Sequence, residues 1–225
     1  MIVVTGASRG LGKAICNRLL SKGVPVFGLA RNVDGLGFPS MACDVSSYDA
    51  VKAVTQRLKA DRITISGLVN AAGIASMNLA VTTPPSVSQN IIHTNLLGTI
   101  YCCQLIVPLM LRNKVGSVIN FSTIAVALGL KGESIYAASK AGVEGFTRSF
   151  AREVADFNVN VNCIAPGPIN TNLLTGVTAT QIQNIVSQQI IPRQFTADAV
   201  SDLVELLLDA RSRSLSGEVL HVGGV

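Results

Sequence analysis

The chain alternates short, continuous apolar runs with longer segments in which apolar residues recur every three or four positions. Apolar runs of about four to eight residues between turn residues are typical of buried strands, and the longer periodic segments are typical of amphipathic helices. Strands are predicted in this way at residues 2–5, 24–30, 40–43, 67–70, 116–122, 159–164 and 218–222. Helices are predicted at residues 11–22, 48–60, 86–113, 136–157 and 197–209.

This alternation predicts an α/β fold: a Rossmann-like, doubly wound parallel sheet with helices on both faces. Right-handed crossovers then bring the carboxyl ends of the strands to one edge, where such folds bind ligands. We expect the whole chain, residues 1–225, to form a single dinucleotide-binding catalytic domain.

One crossover departs from this pattern. Residues 32–39 are rich in Gly and Pro and are fewer than the dozen or so residues that a parallel crossover usually needs. We therefore expect a loop or a single turn there. The helix between strands 2 and 3 would be shortened or absent, and that face of the sheet would have a thinner cover.

Composition narrows the class of protein. Hydrophobic residues make up 48% of the chain and charged residues 14%, which suits a sheet buried on both sides and excludes disorder. The net charge is +5, but there is no run of Lys or Arg and no Trp, so we expect no nucleic-acid surface. A phosphorylated cofactor or an acidic partner remains compatible with the basic charge.

The cysteines and the long apolar stretch indicate a cytoplasmic protein. Five cysteines without a C-x-x-C pair, and only two histidines, predict neither a disulfide framework nor a metal site. The stretch 96–111 is interrupted by Gly98, Gln104 and Pro108, and we expect it to be too short and too polar to span a membrane. No signal peptide is predicted before the first strand.

Tyr136 and Lys140 are candidate catalytic residues. Residues four apart share a helix face, so a phenol and an ammonium group would lie side by side. With Ser134 as the predicted N-cap, Tyr136 would also lie in the first helical turn, where the helix dipole is positive. Both effects would lower the phenol pKa from about 10 and suit a general acid/base. Taken alone, such a pair is more often one face of an amphipathic helix.

A glycine turn follows the first strand and opens the first helix, at residues 5–12. Its glycines allow backbone N–H groups to approach a pyrophosphate at the positive end of the helix. The predicted cofactor-binding residues of this turn are Gly6, Ser8, Arg9, Gly10, Leu11 and Gly12.

This turn resembles that of the compact, single-domain branch of the short-chain dehydrogenase/reductase family. Further motifs in the family's order carry the resemblance: Asn70-Ala71-Ala72-Gly73, Asn95, Tyr136-x-x-x-Lys140 and Pro166-Gly167. The pattern covers essentially the whole chain and is most similar to 3-oxoacyl-acyl-carrier-protein reductases. It implies an NAD(P)-dependent oxidoreductase acting on CH–OH or C=O groups.

The resemblance also assigns catalytic roles. Tyr136 would protonate the carbonyl oxygen, and Lys140 would hold the nicotinamide ribose and lower the phenol pKa. Asn95 would bend its helix locally and anchor a water for proton relay. The family places a serine thirteen residues before the tyrosine, which is Thr123 here; Ser122 remains the alternative because only one of two adjacent strand residues can face the substrate.

The residues near the second strand favour NADPH over NADH. The position where NAD-preferring sites carry a carboxylate is Ala30, and Arg31 follows it, while Arg9 lies in the glycine turn. By resemblance, Asp44 would contact the adenine amino group. The other implied cofactor contacts are Val45, Asn70, Ala71, Ala72, Gly73, Pro166, Gly167, Ile169 and Thr171.

We therefore expect an NADPH-dependent carbonyl reductase of fatty acid synthesis, acting on a 3-oxoacyl thioester carried on acyl carrier protein. Lys114 matches one basic docking position of such enzymes, whereas Phe157 occupies the other, with Arg112, Arg148 and Arg152 available to compensate. By resemblance, pairing through helices 86–113 and 136–157 would give a homodimer or homotetramer, and residues 172–192 would form a lid.

Two alternatives remain open. One is a dehydrogenase/reductase of a sugar, polyol or other small alcohol. The other is a cofactor-binding regulatory protein that does not catalyse a reaction.

Overall fold

A computed structural model describes residues 1–171 and 177–225, and it contains a seven-stranded sheet in the order β3-β2-β1-β4-β5-β6-β7. The strands are β1 (Ile2–Thr5), β2 (Val26–Ala30), β3 (Ser40–Ala42), β4 (Gly67–Asn70), β5 (Gly116–Phe121), β6 (Val159–Pro166) and β7 (Val219–Val222). Every neighbouring pair is parallel. The predicted Rossmann-like sheet is confirmed, and its strand order reverses between β1 and β4, which is where such sheets open a binding crevice.

Helices cover both faces of the sheet. They are α1 (Gly10–Ser21), α2 (Tyr48–Ala60), α3 (Pro85–Ile92), α4 (Gly98–Ile106), α5 (Pro108–Leu111), α6 (Ala125–Leu128), α7 (Ser134–Val154), α8 (Ala179–Val186) and α9 (Ala197–Leu208). Apolar residues of α1 and α9 pack in one core layer, and those of α2, α4 and α7 pack in the other. Neighbouring residues of β1 pack into opposite core layers, Val3 into one and Val4 into the other, because successive side chains of a strand point to opposite faces of the sheet.

The connection from β2 to β3 contains no helix, as predicted. Phe38 takes over part of that cover: a Cβ built on Gly28 of β2 would lie 2.7 Å from the Phe38 ring, so the ring rests directly on the strand backbone. The residues of β3 itself remain partly exposed or exposed, in agreement with a thin cover at this end of the sheet.

The predicted helix at 86–113 is present as a less regular run over Pro85–Leu111. A π-helical turn at His93–Leu97 joins α3 to α4. By length and composition alone the whole run, Pro85–Leu111, could cross a membrane, a test that buried core helices also pass. In the fold, Cys102, Cys103 and Ile106 are fully buried in the core, which makes this run a core helix.

Two short helices were not predicted, α6 and α8. Helix α8 lies in the proposed lid, and it begins with a capping box in which Thr178 accepts a hydrogen bond from the Gln181 N–H while the Gln181 side chain accepts one from the Thr178 N–H. Residues 172–176 of the predicted lid lie outside the described residues.

Candidate active site

The glycine turn between β1 and α1 has a backbone that other residues would not allow. Gly6 and Gly10 have φ values of +69° and +55°, in the left-handed region. A Cβ on Gly12 would lie 2.3 Å from the carbonyl oxygen of Gly6, so the helix begins in direct contact with the end of the strand. Within the described residues no side chain caps α1, and its first turn has no acidic residue. Its N-terminal amides are therefore suited to an anion such as a pyrophosphate.

Two other segments border this turn. The hydroxyl of Thr5 accepts a 3.0 Å hydrogen bond from the Ala72 N–H, which ties the segment after β4 to β1. A Cβ on Gly10 would lie 3.6 Å from the Thr171 Cβ, so the Pro-Gly loop after β6 lies across the turn. The predicted cofactor-binding segments thus meet at the carboxyl edge of the sheet.

Lys140 and Tyr136 are both buried on α7. The Lys140 Nζ donates a 2.9 Å hydrogen bond to the Phe121 carbonyl oxygen and lies 6.0 Å from the centroid of the Tyr136 ring. Gly73 gives this ammonium group room, since a Cβ there would lie 3.6 Å from Nζ. Helix α7 thus places both side chains at the end of β5.

Asn95 lies within the π-helical turn and is fully buried. Its amide pairs with the Ile74 backbone in both directions, each bond being 2.9 Å, and it donates a 3.1 Å bond to the Ser139 hydroxyl. The predicted local distortion of the helix is present. Both hydrogens of the side-chain amide are bonded within the protein. A relay water would therefore have to donate to a carbonyl oxygen of Asn95, either of the backbone or of the side chain. The relay role stays a prediction.

Ser139 is a residue that the sequence reasoning missed. Its hydroxyl donates a 2.7 Å bond to the Tyr136 carbonyl oxygen while accepting the bond from Asn95, so it connects the distorted helix to α7. Its position just before Lys140, one helical turn after Tyr136, was the available signal.

Ser122 and Thr123 directly follow β5, and their hydroxyl groups have different partners. The Ser122 hydroxyl donates to the buried Glu144 carboxylate at 2.6 Å. The Thr123 hydroxyl accepts a 3.2 Å bond from the Ala125 N–H and lies near enough to the Tyr136 phenol to lower its pKa. Thr123 is therefore the hydroxyl placed beside the tyrosine.

The pKa of the Tyr136 phenol beside Lys140 is shifted in the direction opposite to the predicted one. Burial raises the pKa of the Tyr136 phenol, the Glu133 charge raises it further, and the Thr123 hydrogen bond offsets this only in part. Burial also lowers the pKa of Lys140 to about 8. The predicted N-cap was wrong too: Glu133 precedes α7 and Ser134 is its first helical residue. Desolvation of two buried groups outweighs the helix dipole and the neighbouring cation.

Some predicted cofactor residues face the protein interior instead of the crevice. The Asn70 amide donates to Asn120 Oδ1 at 2.8 Å and is buried below the strand ends, so any cofactor contact would come from its backbone. The buried Val45 packs against Gly98. Arg9, Arg31 and Asp44 are exposed, and Arg31 helps to lower the Asp44 pKa after the dominant hydrogen bond from Ser46.

A concave pocket opens beside Tyr136. Its apolar wall comes from the segment after β4, from the loop before α7 and from the lid region. Among the described residues it is lined by Leu11, Ala75, Met77, Ser122, Thr123, Ile124, Leu130, Glu133, Tyr136, Pro166, Gly167, Pro168, Ile169, Thr171, Val177 and Ile185. The sequence reasoning did not identify Glu133, three residues before the tyrosine.

The match to a protein family decides the class of this site. The model of the short chain dehydrogenase family matches residues 1–182. The chain belongs to the short-chain dehydrogenase family. As a member it is an NAD(P)-dependent oxidoreductase that acts on CH–OH or C=O groups, which agrees with the resemblance seen in the sequence.

Relatives within the short-chain dehydrogenase family include reductases of carrier-bound substrates. The chain is 31% identical to the 3-oxoacyl-acyl-carrier-protein reductase of Escherichia coli (strain K12) over 231 residues, covering 99% of this chain and 95% of that protein. It is 31% identical to the enzyme of the same name from Buchnera aphidicola subsp. Schizaphis graminum, with the same coverage.

Solved structures of short-chain dehydrogenases share the fold. Ligand-free aldohexose dehydrogenase of Thermoplasma acidophilum has a TM-score of 0.89 and 30% identity, covering 99% of this chain and 92% of that one. A 4-hydroxyisoleucine dehydrogenase mutant complexed with NADH and succinate has a TM-score of 0.91 at 22% identity, covering 99% and 97%, and supports the fold alone.

Proposed function

We propose that this protein is an NADPH-dependent carbonyl reductase that transfers hydride to the ketone of a 3-oxoacyl thioester, with Tyr136 as the proton donor. One observation carries the proposal: Tyr136 and Thr123 line the same apolar pocket, and that pocket reaches Leu11 of the glycine turn. We further propose that residues 1–225 act as one catalytic domain.

The residues around Tyr136 suit proton donation. A raised pKa keeps the buried phenol protonated near neutral pH, which is the form that an acid for a developing alkoxide needs. Because Thr123 Oγ1 accepts a backbone N–H from Ala125, its own hydrogen remains available to donate. When bound, the nicotinamide supplies the hydride. Lys140, lying beside Gly73 at the crevice, is positioned to hold the cofactor ribose.

The charge near β2 supports NADPH over NADH. Arg31 follows Ala30 at the end of the strand, and Arg9 precedes α1; both are exposed. The Asp44 carboxylate uses one oxygen to accept from the Ser46 N–H and hydroxyl, at 2.9 and 2.7 Å, which leaves its other oxygen for the adenine amino group. Two guanidinium groups would bind a 2′-phosphate more strongly than a 2′-hydroxyl.

The substrate assignment rests on the relatives and on the pocket. Apolar side chains such as Met77, Leu130 and Ile185 suit an acyl chain. Lys114, Arg112 and Arg152 are exposed and available to an acidic carrier, while Phe157 at the other docking position is 40% exposed. We propose fatty acid synthesis in the cytoplasm as the setting, where the five buried cysteines would remain reduced.

We propose a homodimer or homotetramer that pairs through α7 and the Pro85–Leu111 run. The exposed face of α7 carries small residues, Ala138, Ala141, Gly145 and Ser149, which would allow a second helix to approach closely.

A second candidate function is the oxidation or reduction of a sugar or polyol. The Glu133 carboxyl in the pocket favours it, since such a group accepts hydrogen bonds from substrate hydroxyls. The likeness to an aldohexose dehydrogenase supports the same candidate.

A substrate screen with a matched pair of variants tests the proposal. NADPH and NADH oxidation would be followed with 3-oxoacyl thioesters, aldoses and diketones. In Tyr136→Phe, turnover should fall by at least about a thousandfold while NADPH binding is kept. Tyr48→Phe, which removes an exposed phenol outside the pocket, should behave as the unmodified protein. Turnover of aldoses but not of thioesters would favour the second candidate, and an active Tyr136→Phe would refute the assigned proton donor.

A further inference from the structure

Glu133 lies in the substrate pocket, and within residues 1–171 and 177–225 its side chain has no hydrogen-bond or ion-pair partner. Among the described lining residues it is the one carboxyl group, and no Lys or Arg lines the pocket with it. It precedes the first residue of α7, where an acceptor side chain commonly caps the helix, yet within the described residues its side chain makes no cap hydrogen bond. Glu133 therefore lines the pocket and does not cap the helix through its side chain.

The charge of Glu133 acts at the reacting position. Burial raises the pKa of this carboxyl group, and its negative charge raises the pKa of the neighbouring Tyr136 phenol. The side chains around it are mainly apolar, including Leu130, Met77 and Val177, so water screens this charge less than at an open surface.

We propose that Glu133 is a specificity-determining residue that excludes carbonyl compounds carrying a free carboxylate and admits their neutral thioester, ester or amide counterparts. A carboxylate next to the reacting ketone would be repelled by Glu133, and the described lining residues include no Lys or Arg to offset the repulsion. A neutral substrate does not meet that repulsion, and a substrate hydroxyl or amide N–H can donate a hydrogen bond to Glu133. This inference rests on the proposed function, because it concerns the substrate bound beside Tyr136.

Acetoacetate and acetoacetamide provide a matched test, since they have nearly the same shape and differ by one charge. The unmodified protein should reduce the amide with a clearly higher kcat/KM than the acid. In Glu133→Gln, kcat/KM for acetoacetate should rise by about tenfold or more, while that for acetoacetamide stays within about threefold. Glu153→Gln removes an exposed carboxylate of the same helix and should change neither value.

The outcomes separate this inference from the proposed function. Parallel changes for the acid and the amide in Glu133→Gln, or no gain for the acid, would overturn the charge selection. If the unmodified protein reduces neither compound nor any thioester, the proposed function fails. The proposed exclusion of carboxylates by Glu133 is then tested by calorimetric titration of the NADPH-loaded protein. Glu133→Gln must tighten the binding of acetoacetate and leave that of acetoacetamide unchanged. Equal effects on acetoacetate and acetoacetamide would overturn the inference.

Discussion

The hydroxyl of Ser122 donates a 2.6 Å hydrogen bond to the buried carboxylate of Glu144 on α7. The Glu144 carboxylate also forms a 3.4 Å ion pair with Arg148, so Ser122 belongs to a structural network with two residues of α7. The neighbouring Thr123 is the residue whose hydroxyl reaches the phenol. Adjacent residues with the same functional group should therefore have different roles.

Replacing Thr123 with Val should lower kcat by about a hundredfold, because the developing oxyanion loses a hydrogen-bond donor in a pocket of unchanged shape. Replacing Ser122 with Ala should leave kcat within about threefold but lower the free energy of unfolding by about 1–3 kcal/mol, since Glu144 loses a buried donor. Steady-state kinetics and urea unfolding of both variants check this. The reverse pattern would assign the catalytic hydroxyl to Ser122.

The close contact at the glycine turn predicts a strong effect of one methyl group. Gly12→Ala would place Cβ 2.3 Å from the Gly6 carbonyl oxygen, so the turn must shift and cofactor affinity should fall by at least about tenfold. Titration of NADPH by fluorescence measures this. Asn17→Ala, at an exposed position of the same helix, should leave affinity unchanged and slightly stabilise the helix. Unaltered binding by Gly12→Ala would contradict the proposed role of the turn.

Lys140 predicts a stability that depends on pH. Its pKa in the folded protein is about 8, against an ordinary value of 10.5, so between these pH values the unfolded chain binds more protons and stability rises with pH. Below pH 8 the cost of burying the charge applies in full. Lys140→Met should therefore be more stable by roughly 1–3 kcal/mol at pH 7, and the gain should shrink between pH 8 and 10.5.

Urea unfolding of both proteins at pH 7 and pH 10 checks this prediction. The variant should also lose most of its activity, because it lacks the ammonium group at the crevice. A stability gain that is equal at both pH values would show that packing, not charge, is responsible.

Cofactor choice should depend on Arg31. Arg31→Ala should lower kcat/KM for NADPH by about tenfold and change the value for NADH by less than about threefold, because only the 2′-phosphate needs the guanidinium group. The parallel measurement with Lys52→Ala, which removes an exposed cation from α2, should show no selective loss. Equal losses with both cofactors would mean that Arg31 does not contact the 2′-phosphate.

Most of the fold follows from local patterns. Helix α2 and strands β1 and β4 have the predicted bounds because their caps, turn residues and apolar periodicity are all local signals. Helix α8 also had such a signal, the capping box at Thr178 and Gln181, which we did not use. The end of α7 was predicted to within a short 3₁₀ turn, Ala155–Phe157.

The site was only partly predictable. Motif spacing placed Asn95, Thr123, Tyr136 and Lys140 together at one edge, but the partners of each side chain come from distant segments. The bonds from Asn95 to Ile74 and Ser139, and from Lys140 to Phe121, depend on how α7 and the π-helical turn pack on the sheet. The direction of the Tyr136 pKa shift was mistaken for the same reason, since burial is set by packing and not by the spacing of two residues.

By itself, the order of apolar runs and glycine turns determined the parallel sheet, the short crossover at 32–39 and the segments that meet at its carboxyl edge. Only the tertiary structure decided that Asn70 turns inward, that Thr123 and not Ser122 lies beside Tyr136, and that Glu133 enters the pocket. The physical reason is that backbone periodicity is encoded over a few neighbouring residues, whereas desolvation, hydrogen-bond partners and side-chain direction arise when elements far apart in the chain pack together.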